Sequence, residues 1–217
     1  MLSGKGAFSS PCKTKGRSQE NKQTACWSEQ HTTSVPGVEK NNNLLCNWTI
    51  GVFVSVEVGD NAPDFALPSQ MGDNVTLSEY FGKKNVVLYF YPKDESLGCT
   101  REACTFRDRY DIFTSLDAEV LGVSGQSVES HKSFATHHGL PFLLLSDADN
   151  KVRRLYGVPA TLGVIPGRVT FIIDKKGVVR HIFNSQTQPE KHVEEAKQVL
   201  EKLNAEEETA KATVGNT

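Results

Sequence analysis

The chain has 217 residues, enough for one sizeable domain with an extension or for two small domains. Hydrophobic residues make up 38% and charged residues 23%, and the formal charge is −2, so a core is within reach and no basic excess announces nucleic acid. Five cysteines are too sparse for a disulfide-stapled secreted scaffold, and the odd number leaves at least one thiol unpaired.

Residues 1–43 are rich in Ser, Thr, Asn, Gln, Lys and Gly and lack aliphatic periodicity. Such a composition buries too little surface to offset ordering entropy, so the stretch reads as disordered. Its first 28 residues carry five Lys/Arg against one acid and no apolar h-region. That fits a transit peptide, plastid rather than mitochondrial because only one residue is Arg, and it fits a dispensable tail equally well. A plastid location follows in the first case, a cytoplasmic one in the second. The run 44–58 is interrupted by Asn47, Thr49, Ser55 and Glu57 and is shorter than the ~20 residues of a membrane helix, so no membrane span is expected. Asn47-Trp48-Thr49 has the form of a glycosylation acceptor, which has no use without a secretory signal. Val52, Val54, Val56 and Val58 alternate with Phe53, Ser55 and Glu57, the period of a strand.

Beyond Val58 the text changes character. Short apolar runs bounded by turn residues predict strands at 85–91, 119–125, 142–146, 168–174 and 178–183, the last two joined by the turn Asp174-Lys175-Lys176-Gly177. Helical spacing places Ala103, Phe106, Tyr110, Phe113 and Leu116 on one face of the segment 100–116. Two further helical patterns end at Gly139 and Gly157, good C-cap residues. A last helix opens on Pro189, which suits a first turn, and buries Val193, Ala196, Leu200 and Leu203. Strands alternating with helices and closing on a hairpin and a helix indicate an α/β domain with a mixed central sheet. The expected division is an extension over 1–57, a domain over 58–203 and a polar, frayed tail over 204–217.

Cys99 and Cys104 decide the function. In an intact helix, residues five apart lie about 8–9 Å from one another on different faces, too far for the ~7 Å limit of a disulfide. Zinc needs about four Cys/His ligands in close pairs. The histidines of the domain are His131, His137, His138, His181 and His192, and the adjacency of His137 and His138 makes joint ligation awkward. A reactive thiol fits best. Cys99 follows Gly98 at a strand-to-helix junction, where free N–H groups and the helix macrodipole favour a negative sulfur. Thiolate attack on a peroxide gives a sulfenic acid, which a second thiol can condense with. Cys104, beside Ala103 and Phe106, is either that second thiol or a small core residue.

The segment "YPKDESLGCTREACTFRD" resembles the active-site segment of the peroxiredoxins, Pro-x-x-x-Thr/Ser-x-x-Cys, matched by Pro92, Ser96 and Cys99. A second cysteine five residues on is similar to the peroxiredoxin Q, or bacterioferritin comigratory protein, group, and the text over about 58–203 resembles that group throughout. The resemblance implies a thioredoxin-like fold and a thiol-dependent peroxidase for hydrogen peroxide and organic hydroperoxides. By position it implies that Cys99 is peroxidatic and Cys104 resolving through an intramolecular disulfide. Ser96 would bind the peroxide, Pro92 would shield the thiolate, and Arg168 would stabilise the sulfur and polarise the peroxide. It further implies reduction by thioredoxin or a similar dithiol, a monomer, and no cofactor, metal or nucleic acid. Ser96 where Thr is commoner and Leu97 where Pro is frequent depart from the pattern without removing a reacting group. A one-cysteine peroxidase and a redox sensor or binding module remain as alternatives. Cys12, Cys26 and Cys46 receive no role.

Overall fold

The computed structural model describes residues 55–161 and 165–214. The transit-peptide reading, the glycosylation pattern and Cys12, Cys26 and Cys46 lie outside the described residues.

The sheet is built outward from its most apolar segment. Strand β3 (Asn85–Phe90) is buried along its whole length, as a central strand covered on both faces must be. It pairs in parallel with β4 (Ala118–Ser124) and antiparallel with β8 (Val169–Ile173). Strand β5 (Leu143–Ser146) lies outside β4 and β9 (Val179–Asn184) outside β8, giving the mixed order β5-β4-β3-β8-β9, while β6 (Ala160–Thr161) and β7 (Ile165–Pro166) pair with each other in a separate ribbon. The period of two sorts β3 between two cores. Val86, Leu88 and Phe90 join one with Leu121, Val123 and Phe171, beneath the first hairpin (β1, Ala66–Pro68; β2, Asn74–Thr76) and α4 (Lys151–Leu155). Val87 and Tyr89 join the other, with residues of α1 (Leu97–Asp108), α2 (Tyr110–Ser115), α3 (Val128–His138) and α5 (Pro189–Val214). Each buried aliphatic side chain of this kind contributes about 1.5–3 kcal/mol.

Every expected strand from 85 onward forms, with ends shifted by a residue or so, and the mixed α/β sheet is the thioredoxin-like arrangement that the family resemblance implies. Gly139 caps α3 in the left-handed region at φ 60°, and at the other end the Ser127 side chain accepts from the Ser130 N–H. Asp174 and Gly177 close the β8–β9 hairpin, with Gly177 at φ 80°.

Three expectations need correction, and one element was not expected. The strand over 52–58 does not form in its described part: residues 55–58 are irregular and Val58 is exposed. The helix expected over 100–116 breaks at Arg109 (φ −117°, ψ 12°), where Arg109 reaches Glu194 at 2.6 Å and the Tyr110 hydroxyl reaches Glu119 at 2.6 Å. The tail is not frayed from residue 204. Its alanines and glutamates extend α5 to Val214, and Glu206 and Glu207 bind Arg180 and Lys175 at 3.2 and 3.1 Å. The first hairpin had no counterpart in the apolar periodicity, because each of its strands has only three residues. It leads into Gln70, whose amide pairs with the Phe142 carbonyl and the Leu144 N–H and so covers the free edge of β5.

Gly122 lies in β4 between the Leu144 and Tyr89 side chains, and a Cβ there would meet both at 2.7 Å. Gly122→Ala is expected to cost about 1–3 kcal/mol through overpacking, read as a lower urea midpoint at constant slope. An unchanged midpoint would show that the sheet gives way freely at β4.

Candidate active site

Strand β3 ends at Phe90 and the chain crosses the sheet end through Pro92 to α1. Ser96 is the N-cap of α1, and its carbonyl accepts from the Thr100 N–H at 2.8 Å. This puts Cys99 in the first turn, as expected, and points it into the second core, where it is 1% exposed. Arg168 leads into β8 from the far side. It is not a solvated charge at a strand start: it is 3% exposed, and its Nη2 lies 3.3 Å from Cys99 Sγ. Gly98 permits the approach, since a Cβ there would stand 3.1 Å from the same nitrogen.

The other face of the guanidinium meets Glu102. Arg168 Nη1 donates directly to Glu102 Oε2, while Glu102 Oε1 and Arg168 Nε are buried without hydrogen-bond partners. Cys99 and Glu102 are three apart and therefore share a helix face. Burial pushes the Glu102 carboxyl up to about 8 against the pull of Arg168. Behind it, His192 Nε2 donates to the Ser185 carbonyl at 2.8 Å, so Nδ1 is left to accept from the Thr170 hydroxyl at 2.8 Å. Burial lowers the His192 pKa to about 4, which keeps the ring neutral.

The segment before α1 is held from beneath. Asp94 accepts from the Tyr91 and Ser130 hydroxyls at 2.7 and 2.6 Å and from His131 Nδ1 at 2.9 Å, and its N–H donates to Gln126 Oε1. Burial alone would raise the Asp94 carboxyl, but the His131, Ser130 and Tyr91 hydrogen bonds hold it below its ordinary value. Arg153, also buried, donates to the Gly167 carbonyl at 2.8 Å and the Tyr91 carbonyl at 2.7 Å. It thereby fixes the two backbone points that precede Arg168 and Pro92.

Of the residues singled out in the sequence, the structure brings Cys99 and Arg168 together. The Ser96 hydroxyl donates instead to the Lys93 carbonyl at 3.0 Å, and Pro92 is half-buried in the entering loop. Cys104 is not in the apolar core: it is half-buried, with Sγ 4.0 Å from His138 Nδ1. Both thiols are free. Glu102, Arg153 and Asp94 went unnoticed, because a charged residue in a helix or loop normally faces water and only its partners reveal burial. The i, i+3 spacing of Cys99 and Glu102 was the one available signal for Glu102.

The chain resembles known proteins in sequence and in fold. A family model described as the AhpC/TSA family matches residues 58–182. A chloroplastic peroxiredoxin Q of Sedum lineare is 52% identical over 153 residues, covering 70% of this chain and 82% of that protein. The peroxidoxin BcpB structure from Mycobacterium tuberculosis aligns with a TM-score of 0.63 at 35% identity, over 67% of this chain and 97% of that one. A bacterioferritin comigratory protein of Xanthomonas campestris, solved to study its alkyl peroxide reduction, aligns with a TM-score of 0.62 at 29% identity, over 69% and 98%.

The Glu102 proton is bound more tightly in the fold than in the unfolded chain. The stability this group contributes is complete below about 4.5, its ordinary value, and is lost as pH rises through about 8. Glu102→Gln is expected to flatten that decline in urea midpoints measured between about pH 5 and about pH 9. An unchanged slope would show that Glu102 is already ionised in the folded chain.

Proposed function

The chain belongs to the AhpC/TSA family and is a thiol-dependent peroxidase, and from that premise we propose a two-cysteine cycle centred on Cys99. The observation that carries it is the Arg168 guanidinium 3.3 Å from a buried Cys99 sulfur in a first helical turn. A fixed guanidinium offers a charge-assisted hydrogen bond to a thiolate, and the buried, unpartnered Nε–H can donate to a peroxide oxygen.

In the first step the Cys99 thiolate attacks the terminal peroxide oxygen. The S–O bond forms as the O–O bond breaks, Cys99 becomes a sulfenic acid, and the leaving oxygen takes a proton to depart as water or an alcohol. The Ser96 hydroxyl exchanges its Lys93 carbonyl for the peroxide. Pro92 limits the water that reaches the sulfur. The first turns of α1 then open, and the Cys104 thiol displaces the sulfenic oxygen as water to give a Cys99–Cys104 disulfide. An external dithiol, thioredoxin or one like it, returns both thiols and leaves oxidised.

We read the peroxidase domain as 58–203, continued by the helical extension of α5, and the chain as a monomer. Residues 1–57 are read as a plastid transit segment. That reading rests on the basic composition of the first 28 residues and on relatives named as chloroplastic proteins. Among the described residues no helix is long and apolar enough to cross a membrane.

The deciding experiment gives the reduced full chain one equivalent of hydrogen peroxide and maps its peptides by mass spectrometry. The expected product is a Cys99–Cys104 bridge. Stable oxidation of Cys99 with Cys104 free would replace the cycle by a one-cysteine peroxidase or a sensor. Cys99→Ser is expected to abolish turnover. Arg168→Lys, which keeps a charge but loses the planar fork, is expected to slow Cys99 oxidation by about 10²-fold or more. A rate near wild type in Arg168→Lys would remove the guanidinium from the mechanism.

A further inference from the structure

Three side chains outside the peroxidatic pocket converge as metal ligands do. Glu95 lies in the loop that leads to the α1 N-cap, and His137 and His138 are the last two residues of α3. Glu95 Oε1 is 3.0 Å from His137 Nδ1, and Glu95 Oε2 is 3.0 Å from His138 Nε2. The three residues each offer a ligand atom within 4.8 Å of the others. Adjacent residues of a helix diverge by about 100°, which is why joint ligation looked awkward in the sequence. The structure overcomes this by using the near nitrogen of one ring and the far nitrogen of the next, with ring centroids 4.4 Å apart.

We propose that Glu95, His137 and His138 form a binding site for a divalent transition ion, Zn²⁺ foremost. Two imidazoles and one carboxylate are a zinc donor set, with a fourth position left for water. His137 and Glu95 are open to solvent, with side-chain exposures of 69% and 48%, so an ion can enter and a water can complete its shell. The site lies at the C-terminus of α3, where the macrodipole favours a cation. Arg107, which donates to the His138 carbonyl at 2.6 Å, is itself paired with Asp108 at 2.8 Å. Glu95 also occupies the left-handed region at φ 56°, a conformation of about 1 kcal/mol or more for a residue of this type. Backbone strain of this kind clusters at ligand clamps and active sites.

On binding, the ion replaces the hydrogen bonded between carboxylate and imidazole. His138 then carries its ring proton on Nδ1, facing the Cys104 sulfur 4.0 Å away. The ion also ties the loop before Ser96 to the end of α3, so the first turn of α1 opens less readily. Zn²⁺ therefore slows the Cys99–Cys104 step while leaving Cys99 oxidation open. This consequence rests on the two-cysteine cycle proposed above; the binding site does not.

The test uses the full chain with Cys12, Cys26, Cys46, Cys99 and Cys104 all changed to Ser, so that no thiol takes the ion. Calorimetric titration with Zn²⁺ is expected to show one equivalent. Glu95→Gln or His137→Ala in that chain is expected to weaken it by at least the ~10–100-fold that loss of an outer-shell partner costs. Absence of the equivalent, or binding unchanged by either substitution, overturns the site. Co²⁺ added to the reduced wild-type chain gives a second reading in case the five-serine chain does not fold. A tetrahedral d–d spectrum that Glu95→Gln abolishes supports the site, and an identical spectrum in both chains overturns it. Stopped-flow oxidation of reduced wild type with and without Zn²⁺ then reads the consequence. A slower disulfide step that is restored in Glu95→Gln supports it, and an unchanged step overturns it. Failure of the disulfide under both conditions condemns the two-cysteine cycle, and the titration still judges the metal site.

Discussion

The guanidinium of Arg168 is a permanent charge held inside the protein, and much of the architecture is arranged around it. Arg cannot shed its proton, so a buried guanidinium must be given acceptors or a counter-charge. Both come from one face of α1, through Cys99 and Glu102. That requirement turns Cys99 and Glu102 inward. Gly98 is the spacing that allows contact. Arg153 adds a second layer by holding the carbonyls of Gly167 and Tyr91, so the strand that delivers Arg168 and the loop that delivers Cys99 share one anchor.

The sheet and the loop are stabilised by different means. Strand β3 is bonded on both edges and buried on both faces. The loop of residues 92–96 is bound mainly through side chains, from Asp94 to Tyr91, Ser130 and His131 and from Glu95 to His137 and His138. A single such bond contributes about 0.5–1.5 kcal/mol, more where charge assists. A segment tied in this way opens locally without disturbing the sheet. The difference matters because Cys99 and Cys104, five apart on an intact helix, cannot meet. In the proposed two-cysteine cycle, the same clamps that hold Cys99 in the first turn of α1 therefore set the threshold for the Cys99–Cys104 step.

The sequence was most readable where a period of two or 3.6 carried the signal. The five strands of the main sheet and the stripe Val193, Ala196, Leu200 and Leu203 follow from periodicity, because burial of one face dictates those residue types, and the C-cap Gly139 and the first-turn Pro189 follow from helix stop and start chemistry. Cys99 was visible through its helix-start position and through the family pattern around it. Glu102, Arg153 and Asp94 were not visible, and His131 was visible only as one of the domain's histidines, without its role. Each is buried through a partner 37 to 66 residues away, in the pairs His131–Asp94, Arg153–Tyr91 and Arg168–Glu102, and pattern over a short window does not contain such pairs. The expected tail beyond residue 203 failed for a related reason. Its polar text has no apolar stripe, yet helix-forming residues and cross-chain ion pairs to Arg180 and Lys175 continue the helix.

Glu102 shows how burial directs the charge of Arg168. An ionised carboxylate on one side of the guanidinium would compete with a thiolate on the other. The surroundings disfavour that form. Glu102 Oε1 has no hydrogen-bond partner, and His192 Nδ1, 3.8 Å away, is committed as an acceptor to Thr170 because its Nε2 donates to Ser185. A buried oxygen without a donor is far more costly when charged than when neutral. With the carboxyl pushed up to about 8, Glu102 keeps its proton through neutral pH. It then places Arg168 as a neutral acceptor, and the positive charge remains directed at Cys99. Burial, which usually argues against an acid beside a nucleophile, here makes the acid compatible with it.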